Sequence, residues 1–157
     1  METLILYASK YGAASEAAEH VAEHLGGSVT LHDLGRKDIP SLDKFECVII
    51  GSSIYAGSIR KEARAFVLQY AYKLRDKKFG LFLCGLDENT QQAYFEKNFS
   101  SDILGAAKAT AFFGGIFDPK KANFFERFIM KAVSKRSTYT NTLHDEKIKQ
   151  FAEDMKA

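Results

Sequence analysis

The sequence predicts an α/β fold in which a doubly wound parallel sheet carries helices on both faces. The main observation is that strand-like runs alternate with helical patterns along all 157 residues. Several runs are continuously apolar, as expected for strands covered on both sides. The composition, 46% hydrophobic and 27% charged, is typical of one folded domain. We therefore expect a single domain over residues 1–157 with five parallel strands in the order 2-1-3-4-5.

The elements follow one another regularly. Strands are predicted over residues 4–7, 28–34, 47–50, 79–84 and 107–113, and the second has the alternation of an edge strand. Helices are predicted over residues 15–25, 58–74, 90–99 and 145–155. An extra helix is expected after the fifth strand, because Asp118-Pro119 is typical of an N-cap followed by the first helical position.

Charge and cysteine usage narrow the class further. The net charge is +2, yet the segment from Asp118 to Arg136 holds six basic and two acidic residues and so carries +4 by itself. No basic region followed by an apolar stretch precedes the first strand, so we expect no signal peptide and a cytoplasmic protein. Cys47 and Cys84 lie in strand-like runs, which favours buried, reduced thiols.

Ligands of such sheets bind beyond the carboxyl ends of the strands, near strands 1 and 3. This rule selects three loops, at residues 9–15, 52–57 and 85–90. The first reads Ser-Lys-Tyr-Gly-Ala-Ala-Ser and is neither a Walker A nor a G-x-G-x-x-G motif. It can still bind an anion, because Ser9 supplies a hydroxyl, Gly12 permits close backbone approach, and residues 10–15 offer N–H groups at a helix N-terminus. An ordinary strand–helix turn is the alternative.

This loop resembles the FMN phosphate loop of flavodoxins, Ser/Thr-x-Thr-Gly-x-Thr. Ser9 and Gly12 match that pattern, Tyr11 and Ala14 stand where hydroxyl residues are expected, and Ser15 is one position late. The resemblance implies a flavodoxin-like three-layer sandwich that binds FMN. A lost hydrogen bond to charged phosphate costs about 1.5–3 kcal/mol, so we expect weakened binding. The candidate residues are Ser9, Lys10, Tyr11, Gly12, Ala13, Ala14 and Ser15.

The other two loops match the same family. "GSSIYAGS" resembles the loop that lays an aromatic side chain on the flavin ring, with Tyr55 as the aromatic residue. "CGLDENT" is similar to the loop that holds the pyrimidine edge, and an acidic residue there would lower the reduction potential. A surface tyrosine in a turn and a helix cap are the alternatives. The resemblance implies these binding residues: Ser52, Ser53, Ile54, Tyr55, Ala56, Gly57, Cys84, Gly85, Leu86 and Asp87.

A long segment, about residues 116–142, separates the fifth strand from the last helix. It contains "FFERFIMK" with basic flanks and resembles the insert of the flavodoxin-like, menaquinone-linked protoporphyrinogen dehydrogenases of bacterial haem synthesis. A basic amphipathic helix here could bind the surface of an anionic membrane that contains the quinone. It could instead bind a tetrapyrrole, or only pack on the core. The residues expected to make substrate or membrane contact are Phe124, Arg127, Phe128, Lys131 and Arg136.

One rival pattern points to a metal. His20-Val-Ala-Glu23-His24 matches H-x-x-E-H of zinc peptidases, but it borders a polar helix face, so we expect no metal site. No nucleophile or acid–base pair stands out. Two hypotheses remain for a flavin protein: an FMN-dependent dehydrogenase of protoporphyrinogen type passing electrons to a quinone, or a flavodoxin-type electron carrier. A scaffold that has lost flavin is a third. We expect no nucleic-acid partner, and the oligomeric state is not predicted.

Overall fold

The structure, a computed structural model, describes residues 1–120 and 139–157. The strands are β1 (Glu2–Ala8), β2 (Ser28–Asp33), β3 (Cys47–Tyr55), β4 (Ser58–Ile59), β5 (Lys78–Cys84), β6 (Ala109–Phe112), β7 (Ile116–Phe117) and β8 (Thr140–Asn141). The helices are α1 (Ala13–Leu25), α2 (Lys61–Leu74), α3 (Gln91–Asn98), α4 (Ser101–Ala106) and α5 (Asp145–Lys156). A short 3-10 turn spans Leu42–Lys44.

Five parallel strands form the main sheet in the order β2-β1-β3-β5-β6. This confirms the predicted order, with β2 at one edge. The register pairs Ala8 with Ser52 and Ser53 with Cys84. The last residues of β1 and β5 therefore lie beside the same stretch of β3, which brings together the loops that follow β1 and β5.

Side chains alternate between two hydrophobic layers, one on each face of the sheet. Ile5 and Ile49 face α1 and α5, where they join Val21, Ile148 and Phe151. The intervening strand residues face α2, α3 and α4 in a second cluster that includes Leu4, Leu6, Val48, Phe66, Phe95 and Ile103. The predicted three-layer sandwich is confirmed, and because both faces of the sheet are buried, the strand register is strongly specified.

Close packing inside the sheet depends on a glycine of β3. A Cβ on Gly51 would lie 1.9 Å from Cζ of Phe82, so only glycine leaves room for that ring. Phe82 in turn stacks on Phe113, with ring centroids 5.1 Å apart. The core under the carboxyl edge is thus filled by aromatic rings.

Several elements differ from the prediction. The strand predicted over residues 47–50 continues to Tyr55, so residues 52–55 belong to β3 and not to a loop. The helix predicted from residue 58 begins at Lys61, because Ser58 and Ile59 pair back with Tyr55 and Ile54 as the antiparallel strand β4. α1 begins at Ala13, two residues before the predicted start. The helix α4 was not predicted at all, since six residues are too few to show a helical period.

The segment between β6 and α5 leaves and rejoins the domain at one place. β7 and β8 pair antiparallel, with Ile116 opposite Asn141 and Phe117 opposite Thr140. At the start of the segment, Asp118 Oδ1 accepts a hydrogen bond from the Lys120 N–H at 3.0 Å, the bond that an N-cap carboxylate makes. The predicted extra helix itself lies outside the described residues. Within those residues, none of the helices combines the length and the apolar character that a membrane span needs.

Candidate functional site

The three predicted loops meet at the carboxyl edge of the sheet and line one cleft. Two further residues, Gly115 and Ile116, complete its wall and were missed by the sequence analysis. They follow β6, and the order of strands alone would have placed that loop at the same edge. The predicted residues that line the cleft are Lys10, Tyr11, Ala13, Ser53, Ile54, Tyr55, Cys84, Gly85 and Leu86.

The first loop turns sharply into α1. Gly12 is the N-cap residue with φ 93°, a left-handed conformation that favours glycine. Its N–H donates to the Ser9 hydroxyl at 2.9 Å, and its carbonyl accepts the first helical hydrogen bond, from the Glu16 N–H, also at 2.9 Å. The amides of residues 13–15 precede that first helical bond. They form the positive end of the helix dipole, where a phosphate is favoured.

The two residues that depart from the flavodoxin pattern both pack inside the protein. Tyr11 is 8% exposed and lies edge-on to Phe117, with ring centroids 5.4 Å apart. Leu86 of the third loop packs on the same pair. Ala14 is fully buried in the layer between α1 and the sheet. At position 14 the chain can therefore offer a phosphate only its backbone.

The second loop is a tight hairpin that carries Tyr55 at its start. β3 runs to Tyr55 and returns as β4 through Ala56 and Gly57, whose φ angles are 51° and 80°. Two consecutive positive φ angles are typical of a type I′ turn. Asparagine or glycine is usual at the first of these positions, and an alanine there carries about 1 kcal/mol of backbone strain. The turn keeps Tyr55 half-buried at the cleft.

Lys10 connects the first and second loops. Its backbone N–H donates to the Ser53 hydroxyl at 3.1 Å. Its ammonium lies 4.4 Å from the centroid of the Tyr55 ring, which is within the range of a cation–π contact. A positive charge therefore lies over one face of the ring that the sequence analysis assigned to flavin stacking.

Ser52 supports the hairpin and is buried. Its hydroxyl donates to the Ser53 carbonyl at 2.9 Å and accepts from the Arg60 N–H at 2.9 Å. Arg60 is the N-cap of α2, so Ser52 joins β3 to the start of that helix. These two bonds give the Ser52 hydroxyl a structural role below the cleft.

The third loop is held by backbone contacts. The Gly85 N–H donates to the Gly114 carbonyl at 2.9 Å, and a Cβ on Gly115 would lie 2.8 Å from the Gly85 carbonyl carbon. Burial raises the pKa of the Cys84 thiol, so it stays protonated and is not a nucleophile. Both cysteines are buried and free, which confirms that prediction. Asp87 is exposed and accepts from the Asn89 N–H at 3.0 Å.

An ion pair ties the third loop to the last helix. Glu88 Oε1 lies 2.6 Å from His144 Nε2 and 3.8 Å from Lys147 Nζ. His144 is the N-cap residue of α5. The sequence analysis missed this pairing, because the residues are more than fifty positions apart.

The two histidines of the H-x-x-E-H pattern lie near one carboxylate. Asp145 Oδ1 is 3.4 Å from His24 Nε2 and 3.9 Å from His20 Nδ1. These contacts join α1 to the start of α5. Across residues 1–120 and 139–157, no three or more ligating side chains are grouped to hold a metal ion.

The candidate contact residues of the insert lie outside the described residues. These are Phe124, Arg127, Phe128, Lys131 and Arg136. The described ends of the insert are close to the cleft, because Phe117 of β7 contacts Tyr11 of the first loop.

The fold and the cleft define a class of doubly wound α/β proteins whose ligand site lies between the ends of the first and third strands. A model of the flavodoxin domain family matches residues 4–144, so the chain belongs to that family. Family membership supports a flavin-binding redox protein. It also confirms the resemblance of the chain to flavodoxins.

Two kinds of relatives are similar to this chain. Protoporphyrinogen IX dehydrogenase [quinone] of Escherichia coli K12 is 23% identical over 146 residues, which cover 87% of this chain and 81% of the relative. The two-electron reduced flavodoxin of Megasphaera elsdenii superposes with a TM-score of 0.65 at 16% identity, covering 99% of both chains. Flavodoxin 2 of Bacillus cereus gives 0.63 at 19% identity, covering 99% and 98%. These structural likenesses establish the fold.

Proposed function

We propose that this protein binds FMN in the cleft and is an FMN-dependent oxidoreductase of protoporphyrinogen dehydrogenase type that passes electrons to a quinone. The observation that carries the proposal is the pairing, across one cleft, of a helix N-terminus entered through Gly12 with the half-buried ring of Tyr55. A phosphate fits the first group and a flat aromatic ring fits the second. The residues present therefore suit a flavin mononucleotide.

Each part of the chain has a distinct role in that binding. The amides of residues 13–15 and the Ser9 hydroxyl bind phosphate, and Tyr55 stacks on the ring. A Cβ on Gly115 would meet the Gly85 backbone, so these two glycines let the cleft wall pack closely where its backbone would face the ring edge. When bound, FMN supplies the redox chemistry by accepting hydride or electrons at N5. The neutral Cys84 thiol adds no competing nucleophile beside it.

The position of the insert favours the enzyme over the carrier. Its two ends are joined by β7 and β8, and Phe117 at one end contacts the phosphate loop through Tyr11. A substrate-binding segment would need that position. The flavodoxin-type carrier is the second candidate, and it is favoured by the full-length likeness to flavodoxins.

The first experiment measures flavin binding. We would titrate the protein with FMN and with riboflavin and follow flavin fluorescence. Binding of FMN at least tenfold tighter than riboflavin supports the phosphate site. Equal affinity for the two flavins, or no binding of either, would contradict the proposal and favour a scaffold that has lost flavin.

The second experiment separates enzyme from carrier. Residues 119–138 are replaced by a short Gly-Ser linker, which the pairing of Phe117 with Thr140 allows without moving the sheet. A second variant changes Arg127, Lys131 and Arg136 to Gln in the full-length chain and so removes only the charges that the insert is expected to use. Oxidation of protoporphyrinogen with a menaquinone analogue should disappear in the linker variant while FMN binding persists. Unchanged turnover would assign the insert no role in the reaction.

We also propose that the basic insert brings a cytoplasmic protein to the inner face of the membrane. Six basic residues between positions 118 and 136 support contact with anionic lipid. Co-sedimentation with vesicles of anionic and of neutral lipid tests this. Binding to anionic vesicles should be lost in the triple Gln variant, and equal sedimentation with both lipids would contradict the electrostatic contact.

A further inference from the structure

The side chain of Asn98, the last residue of α3, uses its full hydrogen-bonding capacity. Nδ2 donates to the Gly57 carbonyl at 3.0 Å and to the Tyr94 carbonyl at 2.8 Å. Oδ1 accepts from the Ile59 N–H at 3.0 Å and from Arg64 Nη2 at 3.1 Å. A carboxamide has two N–H donors and one oxygen with two lone pairs, so all four positions are filled. This arrangement fixes the orientation of the amide.

Two of these bonds end on the hairpin that carries Tyr55. The Gly57 carbonyl lies inside the turn, and the Ile59 N–H lies on the returning strand β4. The turn itself is strained, because Ala56 has a φ of 51°. A strained turn keeps its conformation only when neighbouring groups hold it, and Asn98 holds it at both points.

The support behind Asn98 is rigid. Within α3, the Tyr94 ring lies nearly parallel to the Phe112 ring of β6, with centroids 6.0 Å apart. Phe95 and Phe99 are both buried in the core. The hairpin is therefore attached through Asn98 to a helix that is fixed on the sheet.

We propose that Asn98 is a positioning residue for the flavin ring. Asn98 is not among the residues that line the cleft. It holds the hairpin so that the ring of Tyr55 keeps its place at the cleft. This inference rests on the proposed function, because the ligand it serves is FMN. Asn98 acts on the ring part of the ligand, whereas residues 9–15 act on the phosphate.

The test uses two variants and one control. Asn98→Asp keeps the oxygen acceptor for Ile59 and Arg64 but loses both donors, and Asn98→Ala loses all four bonds. The control, Ser100→Ala, removes a bond of 3.2 Å from the Ile103 N–H to the Ser100 hydroxyl, the N-cap of α4. It lowers stability near α3 without removing a bond to the hairpin. All proteins are titrated with FMN and with riboflavin, and their melting temperatures are measured.

Both Asn98 variants should weaken FMN and riboflavin by the same factor, about tenfold, because the loss concerns the ring that the two ligands share. The visible circular dichroism of bound flavin should change, since it reports the ring environment. Ser100→Ala should lower the melting temperature and leave both affinities within about twofold of the parent. In the flavin-free protein, hydrogen exchange at the Ile59 amide should accelerate in Asn98→Ala.

Several outcomes would overturn the proposal. One is unchanged affinity in both Asn98 variants, and another is a loss confined to FMN. A third is an affinity loss in Ser100→Ala as large as in the Asn98 variants. If the parent protein binds FMN and the variants behave like it, only this inference fails. If the parent binds no flavin, the proposed function fails as well, and faster exchange at Ile59 would leave Asn98 with a purely structural role.

Discussion

The phosphate loop, residues 9–15, and the Tyr55 hairpin differ in how the chain holds them. The turn of the loop is formed by its own neighbours, because Gly12 bonds to Ser9 and α1 begins at once, and one longer-range bond joins Lys10 to Ser53. The hairpin is held by Asn98, about forty residues away in sequence. The phosphate and the ring of the ligand would therefore be recognised by parts of the chain that are held in place by different contacts. Mutations can therefore separate the affinity for phosphate from the affinity for the ring.

The variant with the largest expected effect is Gly12→Ala, which tests whether phosphate affinity can be lost separately from affinity for the flavin ring. A methyl group strains the backbone at φ 93° and disturbs the amides at the start of α1. We expect FMN affinity to fall about thirtyfold, with riboflavin affected less than about threefold, because charged hydrogen bonds to phosphate are lost. Parallel fluorescence titrations measure both.

The matched control is Gly26→Ala at the other end of α1. Gly26 has φ 66°, and a Cβ there would meet no atom within 4 Å. Alanine there is strained at least as strongly as at Gly12, because φ 66° with ψ −174° is a conformation that only glycine commonly adopts, and the site has no role in the cleft. Equal losses of FMN affinity in the two variants would show that strain in α1, and not the phosphate amides, is responsible.

The hairpin side of the comparison is tested by Tyr55→Ala. Loss of ring stacking should weaken FMN and riboflavin alike, by about tenfold. Tyr55→Phe keeps the aromatic face and should bind both flavins within about twofold of the parent. A loss seen only with FMN would place Tyr55 at the phosphate and remove the distinction between the two regions.

A smaller effect is expected on the reduction potential of bound flavin, from two charges of opposite sign near the cleft. The Lys10 ammonium lies over the Tyr55 ring, and the exposed Asp87 lies in the third loop. An ammonium favours an anionic, reduced flavin and a carboxylate disfavours it, each by on the order of 1 kcal/mol, or about 40 mV for one electron. Lys10→Met should lower the midpoint potential and Asp87→Asn should raise it. Spectroelectrochemical titration at low salt measures both, and shifts of the same sign would contradict this assignment.

The smallest expected effect is on the pH dependence of folding stability, through the buried thiol of Cys84 in the sheet beneath both regions. Burial raises the pKa of the Cys84 thiol above its ordinary value of 9.0. The unfolded chain therefore releases the thiol proton first as the pH rises, and folding stability is complete below pH 9 and declines above it. We expect a loss of about 0.8 kcal/mol between pH 8 and pH 9.5 from this group. Urea unfolding of the parent and of Cys84→Ala measures the difference, and identical pH slopes would indicate that water reaches Cys84.

Local sequence was sufficient to predict much of this molecule. Apolar runs predicted the five main strands and their order, since buried parallel strands and right-handed crossovers leave few alternatives. The single glycine at position 12, directly before a helical pattern, predicted the turn at α1. Both are properties of short, contiguous stretches.

Other features depend on contacts between distant residues, which a single sequence does not reveal. Ser58 and Ile59 form a strand only because the turn at Ala56 and Gly57 folds them back on β3. Asn98 shows no local signal, and its role appears only when α3 packs beside that turn. Tyr11 stands where the flavodoxin pattern has a hydroxyl residue, but the structure buries its ring on Phe117, about a hundred positions further along the chain.

The pairing of β7 with β8 has a consequence for how this domain tolerates change in length. The two strands fix the ends of the intervening segment, so the cost of closing it is an entropy that rises only with the logarithm of its length. Doubling such a loop costs only about 0.6 kcal/mol. Segments of very different length can therefore be accommodated between Phe117 and Thr140 at nearly the same stability of the sheet.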